Sequence, residues 1–564
     1  MQRLIECVPN ISEGRDRQKI DAIAAVVETV EGVMLLDVDP GRSTNRTVIT
    51  FAGNPEAVEE AAFRLIQKAA ELIDMTGHTG EHPRQGATDV CPLIPIAGVS
   101  MDECVQIARR LGKRVGDMLG IPGYYYEYAA VSEQRRNLAD CRKGEYEALE
   151  KITTAEGRPD FGPATITDTA RRAGITTVGA RDFLVAYNIN LNTTSTRRAN
   201  AIAFDIREAG RIVREGDPVR GKPVLDALGE PQRLPGSLRC VKGIGWYIEE
   251  YGIAQLSLNL TNVKITPVHR AFEEAVKKAD QRGVRVTGSE LVGLIPLQCL
   301  LDAADYFLNK QQRSLGISER EKIKIAIKSL GLDDLAPFRP EEKVIEYVLD
   351  RKRNQGKSLV KLPLADFADE TASESPAPGG GSVSAAVGAL GASLGAMVAN
   401  LSAHKRGWDE RWEEFSKVAE RAMVAQRELL RLVDEDTRAF NAIMSAFGMP
   451  KEKDEEKKAR AAAIETASKY AMEVPLSTAR LALDAMEVCH EMVQSGNPNS
   501  VSDAGVGVMC GRTAVLGAVM NVRINAGSIK DRDFAGRLLV AAGELEAKAL
   551  ELEARVLAQL NVQW

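Results

Sequence analysis

The sequence predicts a multidomain chain, α/β over its amino-terminal part and all-α over roughly its last 200 residues. Three observations carry this. The first ~180 residues alternate strand-like and helix-like patterns. Two later stretches, Phe183 to Leu191 and Ala254 to Val263, alternate apolar and polar residues almost strictly, as strands with one buried and one polar face do. Beyond about residue 375 strand patterns vanish, and long Ala-, Leu- and Glu-rich segments follow one another. At about 100–200 residues per domain, 564 residues allow three or four folding units.

The elements follow in order. Val33 to Leu36 is a short apolar run leading to Asp37 and Asp39, and Arg46 to Ala52 is rich in β-formers. From Val58 the apolar positions 58, 61, 62, 65, 66, 69, 70 and 73 make a helical stripe. Ser100 with Glu103 three residues on predicts a capping box. In the two alternating strands, Val185, Tyr187, Ile189 and Leu191 share one face, as do Leu256, Leu258 and Leu260. Asn188, Asn190 and Asn259 lie opposite, although Asn is depleted in strands. Such a face is either solvated or a polar wall lining a cleft between sheets. Pro340 opens a charged helix-like piece and Arg351 to Lys357 reads as a linker. The predicted helical segments are 382–401, 410–447, 455–472, 476–494, 502–524 and 531–560, with Val474-Pro475 among the separators.

Composition narrows the function. With 73 Lys and Arg against 79 Asp and Glu, the net charge is -6 and no overall basic field invites nucleic acid. The eight cysteines are scattered with no C-x-x-C pair, so neither a disulfide framework nor a zinc site is expected, and a reducing cytosol is the natural compartment. The first residues lack a long apolar region, so no signal peptide is expected. Ser375 to Ala403 is uncharged and long enough to span a membrane, but its Ala, Gly, Ser and Val content suits a buried, closely packed helix better.

Four places could carry chemistry. Thr76 to Gly86 (TGHTGEHPRQG) reads as a loop holding His78 and His82, and histidine takes and gives protons near neutral pH. The two are four residues apart outside a helix with no third ligand, so no metal is expected. Asp39 opens a turn at the end of an apolar strand, where both active-site acids and turn-forming Asp occur. Gly379, Gly380, Gly381 and Ser382 open a helix whose bared amide groups favour an anion, unless the glycines are only a linker. Asp434 and Asp436 are two residues apart on a helix and so do not share a face; one can turn inward, and an inward carboxyl with a raised pKa makes a general acid. Two solvated acids are the alternative.

These stretches, among them CVPNISEGRD from Cys7, LLDVDPGRSTNRTVITFAG from Leu35, GHTGEHPRQGATDVCPLIP from Gly77, PDFGPATIT from Pro159, VGARDFLVAYNINLN from Val178 and SPAPGGGSVSAA from Ser375, resemble the formimidoyltransferase-cyclodeaminase family over nearly the whole chain, in one order. The resemblance implies two α/β subdomains, 1–182 and 183–338, whose sheets face each other across a folate cleft. It also implies a linker, 339–362, and an all-helical cyclodeaminase domain, 363–564, that works as a dimer within a homo-oligomer. It implies a soluble, cytoplasmic, bifunctional enzyme that uses no metal. The formimino group of N-formimino-L-glutamate passes to tetrahydrofolate, possibly polyglutamylated, and the 5-formiminotetrahydrofolate then closes to 5,10-methenyltetrahydrofolate with loss of ammonia. By the same resemblance His82 is the transferase's catalytic histidine, Asp39 its active-site acid and Asp436 the cyclodeaminase's proton donor. Folate binding falls to a stretch from Gly162 that includes Pro163, Ala164, Thr165, Ile166 and Thr167, more polar here than in animal members. The glycine loop 379–382 would grip the pterin or a folate carboxylate. Similar helical domains also occur as methenyltetrahydrofolate cyclohydrolases, but fusion to a transferase favours the deaminase. A catalytically inactive folate-binding scaffold is the remaining alternative, and the presence of His82, Asp39 and Asp436 argues against it.

Overall fold

A computed structural model describes residues 3–42, 45–80, 83–217, 220–227, 229–353, 358–375 and 377–563. The chain forms two compact units, Met1–Cys299 with Leu330–Arg353, and Leu300–Ser329 with Asn354–Trp564.

The first unit holds two sheets. The larger comprises β1 (Leu4–Cys7), β2 (Asn10–Ile11), β3 (Val33–Gly41), β4 (Arg46–Gly53), β5 (Thr88–Ala97), β6 (Gly123–Glu127) and β7 (Thr176–Ala180). β1 and β2 follow one another between β4 and β5, with β3 outside β4. This half is antiparallel, whereas β5, β7 and β6 run parallel. Helices α1 (Arg17–Glu28), α2 (Pro55–Leu72) and α3 (Met101–Leu119) cover one face, where Ile5, Cys7, Ile49, Phe51, Cys91 and Leu93 join their apolar stripes in one core. The stripe predicted from Val58 is buried as expected, and Ser100 and Glu103 form the capping box. Side chains alternate along each strand, so Glu6, Asn10, Asp39, Arg46, Val48, Val90 and Pro92 share the opposite face.

Short helices α4 (Glu133–Arg136), α5 (Leu138–Cys141) and α6 (Asp168–Ala173) lead to the second sheet. Its main strand β8 (Val185–Leu191) is followed by a small ribbon, β9 (Arg211–Ile212) with β10 (Arg233–Leu234), and then by β11 (Val241–Ile248), β12 (Ile253–Leu260) and β13 (Val286–Val292). The antiparallel order is β11-β12-β8-β13. Helices α7 (Thr196–Ile206) and α8 (Val268–Asp280) cover the face of Tyr187, Ile189, Leu256 and Leu258. The asparagine face is not simply solvated. Trp246 donates to Gln255, Gln255 to Asn190 and Asn190 to Asp334, at 3.2, 2.8 and 2.9 Å, a chain across three strands that satisfies the fully buried Asn190.

The compact units divide the chain at places other than two of the expected boundaries. After α9 (Leu297–Lys310), α10 (Glu319–Leu330) and α11 (Pro340–Lys343), the segment read as linker from 339 continues into α12 (Ile345–Arg353), which belongs to the first unit. Ile345 and Leu349 bury against Leu4 and Ala52 on the side of the large sheet that α1–α3 leave open. The charged surface of this helix gave the sequence its linker texture, while two apolar residues one turn apart hold it in place. Residues 300–329, expected within 183–338, pack in the second unit: Leu315 N–H donates to Ser416 and Asn400 donates to the Gly316 carbonyl, at 3.0 and 2.7 Å.

The second unit is helical as predicted, with α13 (Leu364–Thr371), α14 (Gly380–Ala403), α15 (Trp412–Phe447), α16 (Asp454–Ser495), α17 (Val501–Ala526) and α18 (Arg532–Gln563). α14 packs against α15, α16 and α17. At Gly391 a Cβ would lie 2.8 Å from the Gly507 carbonyl oxygen, so glycine is what lets α14 and α17 approach. Most of the apolar window of α14 is buried in the unit, as a packed core helix requires. Pro475 does not separate two helices; it lies inside α16. A proline deprives the carbonyl four residues back of its donor, and here Asn525 supplies one to Ala471 O at 2.7 Å. The remote replacement of that hydrogen bond explains why a local breaker rule fails here.

Candidate functional site

In the first unit a cavity of about 450 Å³ lies against the open face of the large sheet. Asn10 of β2, Arg46 of β4, Val90 and Pro92 of β5 and Tyr126 of β6 form one side; Arg136 and Arg142 come from around the short helices, Arg181 and Asp182 from beyond β7, and Lys242 and Asn262 from the second sheet. Both sheets therefore contribute walls, as the cleft reading requires. Asp182 accepts from Tyr128 and Asn262 at 2.8 and 2.6 Å, tying the two subdomains together beside the cavity.

Behind the lining sits Asp89, fully buried. It accepts from the Arg46 and Arg142 guanidinium groups and, at 3.1 Å, from the Gln85 N–H. Arg46 Nε also donates to Asn10 at 3.0 Å. Gln85 lies next to the end of the loop predicted to be functional, Thr76 to Gly86. Arg84, almost buried, is clamped by Glu145 and Glu147, and its charge-assisted bonds hold its pKa above the usual range, Glu147 chiefly. Arg84 also donates to the His78 ring at 3.3 Å, while the other ring nitrogen of His78 lies 3.0 Å from the Asn45 carbonyl. Burial pushes the His78 pKa down, so this histidine is a neutral brace between the loop and the β3–β4 turn. His82 lies outside the described residues; the chain from Pro83 to Asp89 leads from it to the cavity wall.

Asp39 is exposed on the cavity face of the sheet, in a row of paired residues with Val48, Asn10 and Val90. Arg46, two residues from Val48, is on that same face. The stretch from Gly162 to Thr167 is elsewhere. Gly162, with φ of 77°, presses on the Ile121 carbonyl behind the sheet, and Ile166 packs with Tyr124 and Leu149 beside edge strand β6. None of the six lines the cavity. Its cations went unnoticed in the sequence because they are dispersed singly from position 46 to position 242.

In the second unit the structure brings the predicted residues together. Asp436 of α15 lies against the N-terminus of α14. A Cβ on Gly381 would meet Asp436 Oδ1 at 2.2 Å, so only glycine leaves room for the carboxyl. Ser382 Oγ is 2.9 Å from Val433 O and 3.0 Å from Asp436 Oδ2. The hydroxyl has a single hydrogen to share between them, and donated to Asp436 it favours the carboxylate. Burial pushes the Asp436 pKa up, opposed by hydrogen bonds from Ser382. Asp434 is used otherwise: it accepts from Ser358 Oγ and Leu359 N, both at 2.7 Å, pinning the segment before α13. So neither acid is merely solvated. Gly379 is the N-cap residue of α14, and Gly380 has Asn521 of α17 nearby, a neighbour the sequence did not point to.

The fold and these sites describe a two-part protein: a cationic cleft between two sheets, and a buried acid on a glycine-rich helix start. Family models match in the same order: the formiminotransferase domain, N-terminal subdomain over 4–181, the formiminotransferase domain over 186–350, and formiminotransferase-cyclodeaminase over 363–543. The formimidoyltransferase-cyclodeaminase of Mus musculus is 41% identical over 564 residues, covering 100% of both chains. The chain belongs to the formimidoyltransferase-cyclodeaminase family. Its first half is also similar to the glutamate formimidoyltransferase of Streptococcus pyogenes serotype M1, 40% identical over 55% of this chain and 94% of that one. Its helical part is similar to the methenyltetrahydrofolate cyclohydrolase of Methylorubrum extorquens, 39% identical over 34% of this chain and 93% of that one.

Proposed function

We propose that the first unit transfers the formimino group of N-formimino-L-glutamate to N5 of tetrahydrofolate, releasing L-glutamate. The second unit then closes 5-formiminotetrahydrofolate to 5,10-methenyltetrahydrofolate and expels ammonia. The full-length similarity to bifunctional relatives carries this reading. In the transfer, N5 attacks the formimino carbon, N5 loses a proton, and the departing glutamate nitrogen gains one. His82 shuttles that proton, with Asp39 steadying its charged form. In the closure, N10 attacks the same carbon and ammonia leaves once protonated. Asp436, kept protonated by burial, is the acid. The loop 379–382 holds the folate there, and Gly162 to Thr167 meet the part of folate that extends along the sheet edge. The enzyme works in the cytosol as a homo-oligomer, with tetrahydrofolate as co-substrate and no metal.

The cyclohydrolase relative favours one second reading, in which the helical unit hydrolyses the methenyl compound instead of forming it. Incubation with tetrahydrofolate and N-formimino-L-glutamate separates the two. Methenyltetrahydrofolate absorbance and ammonia rising in equal amounts support the deaminase. Formimino transfer without ammonia release supports the alternative.

A further inference from the structure

The Arg46–Asp89–Arg142 cluster has more positive charge than its own pairing uses. Asp89 is a single carboxylate, fully buried, and two guanidinium groups converge on it while its remaining bond is to a backbone N–H. A pair built only to fasten β5 to the α5 region would need one cation. Arginine remains protonated in proteins, so the cluster keeps a net positive charge. Arg142 Nε is buried and has no acceptor within hydrogen-bond distance among the described residues. Arg46 and Arg142 both line the cavity, and among the described lining residues they are joined by Arg136, Arg181 and Lys242 against Glu127 and Asp182. This local excess stands out in a chain of net charge -6.

We propose that Arg46 and Arg142 form a carboxylate-binding subsite, and that Asp89 is the positioning residue that fixes their forks. The inference rests on the cavity being the transferase site. The planar guanidinium suits a carboxylate, which can accept two parallel N–H bonds. Asp89 anchors one edge of each arginine and leaves other donors for a ligand. It also ties the subsite to the loop that carries His82, through Gln85. A carboxylate held here therefore sits in register with that loop. Two substrates carry such a group: the formimino donor and the glutamyl tail of tetrahydrofolate.

Steady-state kinetics on the full chain distinguish them, using wild type, Arg142→Gln, Arg142→Lys and Asp89→Asn. The denaturation midpoint of the first unit, which holds both residues, serves as the control for an intact fold. The expected result is a KM for N-formimino-L-glutamate raised roughly 10–100-fold in Arg142→Gln, the value of a charge-assisted pair, with kcat changed by less than about threefold. Asp89→Asn moves the same KM in the same direction, and Arg142→Lys, which keeps charge but not the fork, falls between. If the KM for tetrahydrofolate rises instead, and the effect vanishes with tetrahydropteroate, the carboxylate is the glutamyl tail and the subsite stands. If both KM values stay within about twofold of wild type, or if the whole loss is in kcat, the subsite is overturned. A wild-type enzyme that transfers nothing overturns the reading of the cavity itself, which is a different result. Should Asp89→Asn lose the first unit's denaturation transition, the two Arg142 variants carry the test.

Discussion

The two units assemble polar groups in contrasting ways. Around the sheet cavity, functional side chains come singly from many elements, between Asn10 and Asn262, and charges of opposite sign steady one another. In the helical unit the acid and its seat come from two short windows, Gly379 to Ser382 and Val433 to Thr437, and no arginine contacts Asp436 among the described residues. Burial and the hydroxyl and backbone N–H of one residue, Ser382, set the state of Asp436, whereas networks set the state of the cavity. The difference teaches that a buried acid needs little machinery when its task is to keep a proton, and that an anion site needs many parts because each buried cation must be held.

The largest effects should separate the units cleanly. His82→Ala is expected to lower formimino transfer by about 10²–10⁴-fold while ring closure of supplied 5-formiminotetrahydrofolate is unchanged. Asp436→Asn should do the converse, with 5-formiminotetrahydrofolate accumulating. Chromatography of the folates formed by each variant checks both; loss of both activities in either one breaks the comparison.

A smaller effect sharpens it. Gly381→Ala puts a methyl group where the Asp436 carboxyl lies, so ring closure should fall by about 10-fold or more without loss of transfer. The pH profile adds a sign. On the proposed role of Asp436 as the acid, whose pKa is raised by burial, the ring-closure rate should fall as pH rises through that raised value. Ser382→Ala removes the hydroxyl bond that favours the carboxylate and should move this limb to higher pH; a shift to lower pH contradicts the assignment.

Glu6 tests the sheet unit. It is buried on the cavity side of β1, and burial pushes its pKa from the ordinary 4.5 to about 7, with Arg181 opposing. The folded state keeps a proton that the unfolded chain releases, so stability is fully present below about 4.5 and falls as pH rises toward 7. The change is on the order of 3 kcal/mol. Glu6→Gln should flatten the decline of the first unit's denaturation midpoint over that range; an unchanged slope rejects the account. The smallest effect lies in α16. Asn525→Ala leaves the Ala471 carbonyl without its donor and should cost about 1–2 kcal/mol in the second unit. In a Pro475→Ala background, where the helix supplies its own donor, the cost should vanish.

Legibility in the sequence follows the same contrast. The helical unit was readable because periodicity and glycine punctuation are local, and Pro475 misled because its compensation by Asn525 is 50 residues away. The capping box at Ser100 and the apolar stripe from Val58 were readable for the same reason. The helix-like piece from Pro340 was readable, but its packing was not, because two apolar residues, Ile345 and Leu349, within an otherwise charged surface hold α12 in the first unit. Asp39 and the loop from Thr76 to Gly86 could be picked from motif and turn chemistry. Asp89 could not: an aspartate between Thr88 and Val90 shows its partners only once β4, β5 and α5 are folded. Gly162 was singled out for folate, and the structure shows the packing reason for a glycine there, its positive φ against the Ile121 carbonyl.

The central claim is that one chain carries two independent reaction centres. Supplying 5-formiminotetrahydrofolate to the His82→Ala enzyme, and following methenyltetrahydrofolate absorbance together with ammonia, tests it most directly. Equal formation of both at the wild-type rate is the predicted result. Failure of this variant to close the ring, when wild type does so from the same supplied compound, contradicts the separation of the two sites.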